Sequence, residues 1–269
     1  MSAPVLLAVA HGTRSAAGQE QIRALVDRVA CRAPDVDVRL AYVDVQQPYV
    51  GEAIPRPGTV IVPLLLSAGY HVRVDIARAA ERAGALVAPP LGPDPVLTGL
   101  LAQHTRGRVA DQPMRGRVAA QPMRGRVAVQ PMRGRVAAQR TRGRVADQPM
   151  RGRVADQRAA AAEAIVLAAA GSSDPGWRAS VDSVAAELGA TVAYASGDER
   201  RVPDVVAELR AAGARKITVA AYLLAEGLFY RSLHRAGADV VTPPLCAEPA
   251  VEELVLARYR DLTMISGAL

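Results

Sequence analysis

Residues 6–14 read LLAVAHGTR and residues 165–173 read IVLAAAGSS, so one chain carries two versions of the same apolar run closed by glycine. Val5–Ala10 is continuously apolar, as expected for a parallel strand buried on both faces. The likeness extends outward from there. TVIVPLLLSAGYH (59–71) aligns with ITVAAYLLAEGLF (217–229), pairing Gly69 with Gly227. AGALVAPPLGPDP (83–95) aligns with AGADVVTPPLCAEP (236–249) with one gap. The chain is an internal duplication.

Each copy alternates strand and helix. In the first, Gln19–Arg32 places Ile22, Leu25, Val26 and Val29 on one helical face. Val36–Val43 and Thr59–Leu66 read as strands, His71–Ala83 as a helix, Leu86–Ala88 as a short strand and Val96–Gln103 as a closing helix. Pro63 is discordant within a strand because it removes one ladder donor. In the second copy, strands are predicted at Ala164–Ala169, Thr191–Ala195, Lys216–Leu224 and Asp239–Thr242, and helices at Trp177–Leu188 and Ala250–Asp261. The fold class expected is α/β: two similar lobes, each a small four-stranded parallel sheet flanked by helices.

Between the copies lies a tandem repeat. From Thr105 to Arg158 the chain runs through six nonapeptides of the type MRGRVAAQP, with 14 Arg and three Asp, a net charge of +11. The whole chain of 269 residues is +7, so the other 215 residues carry 7 − 11 = −4. The basic balance belongs to the repeat alone. Nine residues advance about two and a half helical turns, so successive Val109, Val118 and Val127 point to opposite faces and form no apolar stripe. Recurring prolines break a helix as well. The repeat is expected to be a disordered insertion. A role as a basic, nucleic-acid-binding arm is the alternative, but it has no aromatic residue to stack on bases. The domain boundaries expected are therefore 1–104, 105–158 and 159–269.

Composition removes other classes. Cys31 and Cys246 are far apart and form no CxxC, which argues against a disulfide scaffold or a thiolate zinc site and for a reducing compartment. Met1–Ala10 has no basic n-region, and no apolar run approaches about 18 residues. A cytoplasmic protein without a membrane partner is expected.

The copies differ where chemistry would sit. His11 ends the first strand and His71 follows the third, whereas their counterparts are Ala170 and Phe229. In an open α/β sheet, ligands bind beyond the carboxyl ends of the strands, where strand order reverses. For an order 2-1-3-4 that crevice lies between strands one and three, which carry the two histidines. Two imidazoles facing one cleft suit a borderline divalent ion such as Fe²⁺, Co²⁺ or Ni²⁺. His104 and His234 read as surface residues.

AHGTR (10–14) followed by LSAGYHVRVDI (66–76) resembles the small class II chelatases that metallate sirohydrochlorin, the CbiX/SirB-type family, in its longer two-lobe form. The resemblance implies that His11 and His71 act as metal ligands and proton acceptors, inserting Fe²⁺ or Co²⁺ into sirohydrochlorin for siroheme or cobalamin. The metal is then a substrate, and no permanently bound cofactor is expected. Neutral imidazole suits both tasks, with an ordinary pKa of about 6.5. Asp44 is either a supporting carboxylate or a turn aspartate. Asp75, four residues beyond His71 on the same helical face, can orient it. Arg14 and Arg73 are candidates to grip substrate carboxylates, of which sirohydrochlorin has eight. Gly12 and Gly69 are expected to let the backbone pass close to the macrocycle or take positive φ. The fused duplicate is expected to act as a monomer with pseudo-twofold lobes. Leu228 and Phe229 form either an apolar wall of the cleft or helix core. A carrier of metal or tetrapyrrole that performs no insertion is the competing function.

Overall fold

Strand β1 (Val5–Ala10) is buried at every position and lies between two parallel neighbours, β2 (Asp37–Tyr42) and β3 (Val60–Pro63). A computed structural model describes residues 3–67, 69, 71–110, 163–197 and 199–266, without the side chains of 71–73, 107–110, 265 and 266. The first sheet has the order β2-β1-β3-β4, with β4 at Leu86–Val87. The second repeats it as β6-β5-β7-β8, formed by Glu163–Ala169 (β5), Thr191–Tyr194 (β6), Lys216–Ala221 (β7) and Val240–Val241 (β8). The expected two-sheet α/β fold is the one observed. The chain steps from β1 to one side and then crosses to the other, so the strand order reverses between β1 and β3.

The helices follow from local chemistry. In α1 (Ala16–Arg32) the buried Ile22, Leu25, Val26 and Val29 form the inward stripe that the sequence spaces at helical intervals. Helix α2 is a single turn at Val50–Ala53, and α3 (Ala77–Ala83) stops at Gly84, whose φ of 62° no β-carbon opposes. Helix α4 runs from Pro95 to Ala110 and so includes the first six residues of the repeat. Thr105 is buried there, its hydroxyl donating to Leu101 O at 3.0 Å. Residues 111–158 of the repeat, and the expectation that they are disordered, lie outside the described residues. In the second lobe, α5 (Pro175–Leu188) starts with Asp174 accepting from Trp177 N at 2.9 Å and with proline in its first turn. Helices α6 (Val202–Ala211), α7 (Leu228–Leu233) and α8 (Pro249–Ser266) complete it.

Several points differ from the sequence expectation, the helical start of the repeat at 105–110 among them. Strand β3 ends at Pro63 rather than reaching Leu66. Leu64 N donates to Val9 O at 2.8 Å, so the nitrogen of Pro63 faces the opposite side, where β4 pairs only as far as Ile61. The proline sits where no donor is needed. The helix expected from His71 opens as a π-helix, His71–Ile76, before α3. His104 is largely covered rather than on the surface: its Nε2 lies 2.8 Å from Glu248 Oε1 of the other lobe.

The two sheets share one interior. A single apolar cluster takes Leu6 and Ala8 from β1, Leu167 and Ala169 from β5, and residues of α1, α4, α5 and α8. These four helices form a central layer between the sheets. Each sheet's other face packs outward, the first with Leu7 and Val9 against Val50 and Ile76, the second with Val166 and Ala168 against Val202 and Val205. Among the described residues no helix is long and apolar enough to cross a membrane.

Candidate active site

The carboxyl ends of β1 and β3 deliver the two signature segments to one edge of the first sheet. His11 is the residue immediately after β1 and is exposed. The ladder with β2 continues past the strand ends: Val43 N donates to Ala10 O, and Asp44 N to His11 O, both at 3.0 Å. Asp44 is thereby placed beside His11. Its Oδ1 accepts from Val45 N at 2.7 Å, so that oxygen serves the turn.

Gly12 takes φ of 99°, and a β-carbon there would overlap the Asp44 carbonyl oxygen. Both the left-handed backbone and the close approach require glycine. The residues after it are tied from several directions. Thr13 N donates to Gln46 Oε1 at 2.9 Å, Gln19 Nε2 to Thr13 O at 2.8 Å, and Ser15 N to Thr13 Oγ1 at 3.2 Å. The loop that presents His11 is pinned by glutamines from two elements. Arg14, between these ties, is exposed.

After β3 the chain passes residues 64–70 and enters the π-helix at His71. His71 and Arg73 thus lie in the segment that follows the strand neighbouring β1, and their side chains lie outside the described residues. Asp75 is half-buried in the same π-helix, whose wide winding keeps positions four to five apart on one side. A β-carbon on Gly69 would lie 3.5 Å from Trp177 Cδ1, an ordinary contact, so the feature of Gly69 is its place under the second lobe's tryptophan. Among the described residues, no three His, Cys, Asp or Glu side chains gather into a metal-binding group.

The second lobe closes on this edge through residues that, Leu228 and Phe229 apart, sequence reasoning did not single out. Tyr222 is buried and donates to Leu66 O at 2.7 Å; burial pushes its phenol well above the ordinary range. Glu226 and Gln21 exchange two hydrogen bonds, Gln21 Nε2 to Glu226 Oε1 at 3.0 Å and Glu226 N to Gln21 Oε1 at 2.7 Å. Gly18 of α1 sits where a β-carbon would overlap the Glu226 carbonyl oxygen. Arg231 Nη1 donates to Ser15 Oγ at 3.1 Å. Leu228 is 66% exposed and Phe229 38%, so neither is helix core. The only signal for these partners was the duplication, which aligns the Glu226–Gly227 turn with the Ala68–Gly69 turn of the first lobe.

Comparison with known proteins agrees with this fold. The CbiX family model matches residues 5–107 and again 164–262. A sirohydrochlorin cobaltochelatase of Methanosarcina barkeri is 33% identical over 79 residues, 27% of this chain and 61% of that protein. The chain thus spans about three-fifths of that relative's length. The structure of SirB from Bacillus subtilis with Fe³⁺ superposes with a TM-score of 0.63 at 17% identity, covering 96% of this chain and 94% of that one. CbiX, described as the terminal enzyme of siroheme biosynthesis in denitrifying bacteria, gives 0.59 at 19% identity over 95% and 98%. At these identities the structures establish the likeness of fold.

Proposed function

The chain belongs to the CbiX family, and on that premise we propose that it is a sirohydrochlorin chelatase, inserting Fe²⁺ or Co²⁺ into sirohydrochlorin. The observation that carries the reading is that His11 directly follows β1 and that the segment after the adjacent parallel strand β3 leads into the π-helix opened by His71, where strand order reverses. Family membership supplies the reaction class; the choice of metal, and with it siroheme or cobalamin, belongs to the proposal.

Insertion exchanges two pyrrole N–H protons for one dication. The protein therefore has to present the ion weakly, receive protons and hold the macrocycle still. An exposed imidazole at His11 can do the first two, since neutral imidazole both ligates borderline ions and accepts a proton near neutrality. His71 is assigned the same work. Thiolates would hold the ion more tightly, and the two cysteines, Cys31 in α1 and Cys246 in the turn before α8, belong to neither signature segment. The pinned loop after Gly12 fixes where the His11 imidazole can reach, which lowers the ordering cost when substrate arrives. Arg14 and Arg73 are proposed to pair with carboxylates at the macrocycle rim.

The test is insertion followed by the change in tetrapyrrole absorbance, with Fe²⁺, Co²⁺ or Ni²⁺ supplied in turn. His11→Ala and His71→Ala are each expected to lose at least 10²-fold in rate, the order found when one general acid–base group is removed, with unfolding midpoints unchanged. Full activity in both variants would refute the assignment.

A further inference from the structure

Alignment of the two copies places Arg231 opposite Arg73, as it places Phe229 opposite His71. The second lobe has therefore lost the imidazole of this segment but keeps its guanidinium at the same register. In the structure that guanidinium does not stay within its own lobe. Nη1 of Arg231 donates to Ser15 Oγ at 3.1 Å, at the start of α1 and four residues beyond His11. Gly227, just ahead of α7, faces the same loop, since a β-carbon on it would stand 3.4 Å from Thr13 Oγ1.

Among the described residues, Nη1 is the only nitrogen of the Arg231 side chain with a hydrogen-bond partner, and the residue is exposed. Leu228 and Phe229, at the start of the same helix, are exposed apolar groups. One short helix thus carries two exposed apolar side chains and brings one cation to the loop that presents His11. A flat macrocycle with an apolar face and a rim of carboxylates matches that set: the face lies on the apolar pair and a rim carboxylate meets the remaining N–H groups of the guanidinium.

We propose that Arg231 is a substrate-binding residue contributed by the second lobe, which pairs with a carboxylate of the tetrapyrrole while its Nη1 holds the His11 loop through Ser15. This rests on the reading that the chain takes sirohydrochlorin as substrate. The degenerate copy would then act as the half of the site that grips the macrocycle, the first copy as the half that handles the metal.

The experiment measures both turnover and metal-free binding of sirohydrochlorin, the latter by fluorescence of Trp177, the chain's one tryptophan. Arg231→Gln is expected to raise KM and the dissociation constant for the tetrapyrrole about tenfold, with kcat and KM for the metal within twofold. Arg231→Lys should recover part of the loss. Ser15→Ala removes the tie between lobes but leaves the guanidinium in place, so its rise in KM should stay well short of that of Arg231→Gln. An unchanged KM in Arg231→Gln overturns the proposal, as does a Ser15→Ala variant that reproduces the whole defect. If wild type binds the tetrapyrrole and Arg231→Gln weakens it, yet neither accelerates insertion, the assignment of Arg231 stands and the chelatase reading falls. A wild-type protein that does not bind sirohydrochlorin overturns both.

Discussion

Asp94 Oδ2 lies 2.7 Å from Arg258 Nη2, joining the loop before α4 to helix α8 of the other lobe. The same place in the other half is held by Glu248 and His104, 2.8 Å apart. Asp94 and Glu248 are aligned positions that each precede a proline, and Arg258 and His104 each lie nine residues beyond that proline. One pseudo-twofold contact is therefore filled by two different side chains, a guanidinium and an imidazole. Arg258 also donates to Pro90 O at 3.1 Å and to Leu91 O at 3.4 Å, and the side chains of the pair are 19% and 15% exposed. Arg258→Ala, which strands Asp94 and two carbonyls, is expected to cost about 2–4 kcal/mol. His104→Ala should cost about 1 kcal/mol. Urea unfolding midpoints decide it, and equal losses would mean that the two halves of the contact are energetically equivalent.

Gly12→Ala tests whether the His11 loop depends on its backbone. The substitution forces a side chain into a φ of 99° and onto a backbone oxygen that cannot swing away. A loss of about 3 kcal/mol or more is expected, with metal insertion falling alongside. Gly58→Ala is the control. Its φ is 76° but a β-carbon there meets nothing within 4 Å, so it should cost only about 1 kcal/mol and leave activity intact.

Cys31 is exposed and Cys246 buried, and burial pushes the Cys246 thiol up from an ordinary 9.0 to about 11. At pH 8 a thiol reagent should titrate one group quickly in the native protein and none in Cys31→Ser, the second group appearing on unfolding. Between pH 9 and 11 the unfolded chain ionises this thiol while the native protein keeps its proton. The associated stability is complete below pH 9 and is lost as pH rises through 11, roughly 2–3 kcal/mol in all. Cys246→Ala should remove this part of the alkaline decline in the urea midpoint, although the fall due to the buried Tyr222, shifted in the same direction, remains.

Elements whose cause lies within a few neighbours were legible in the chain. The apolar run of β1, the stripe Ile22–Leu25–Val26–Val29 and the glycine after His11 each answer to local spacing or sterics, and all stand as read. Pro63 looked discordant because a sequence does not state which side of a strand is paired. His104 looked like a surface residue because it borders the Arg-rich repeat, whereas the carboxylate that covers it comes from Glu248, in the other copy.

The sequence by itself determined that the fold is duplicated, that the charge resides in the insertion and that only one copy bears the histidines, because repetition and periodicity are properties of the order of residues. Tertiary structure decided that the copies share one central helical layer and that Gln21 meets Glu226, Ser15 meets Arg231 and Gly69 lies under Trp177. Those pairs are separated by a hundred residues or more along the chain. Their contacts follow from burying α1, α4, α5 and α8 against one another, and that packing is set by the apolar surfaces of both lobes together.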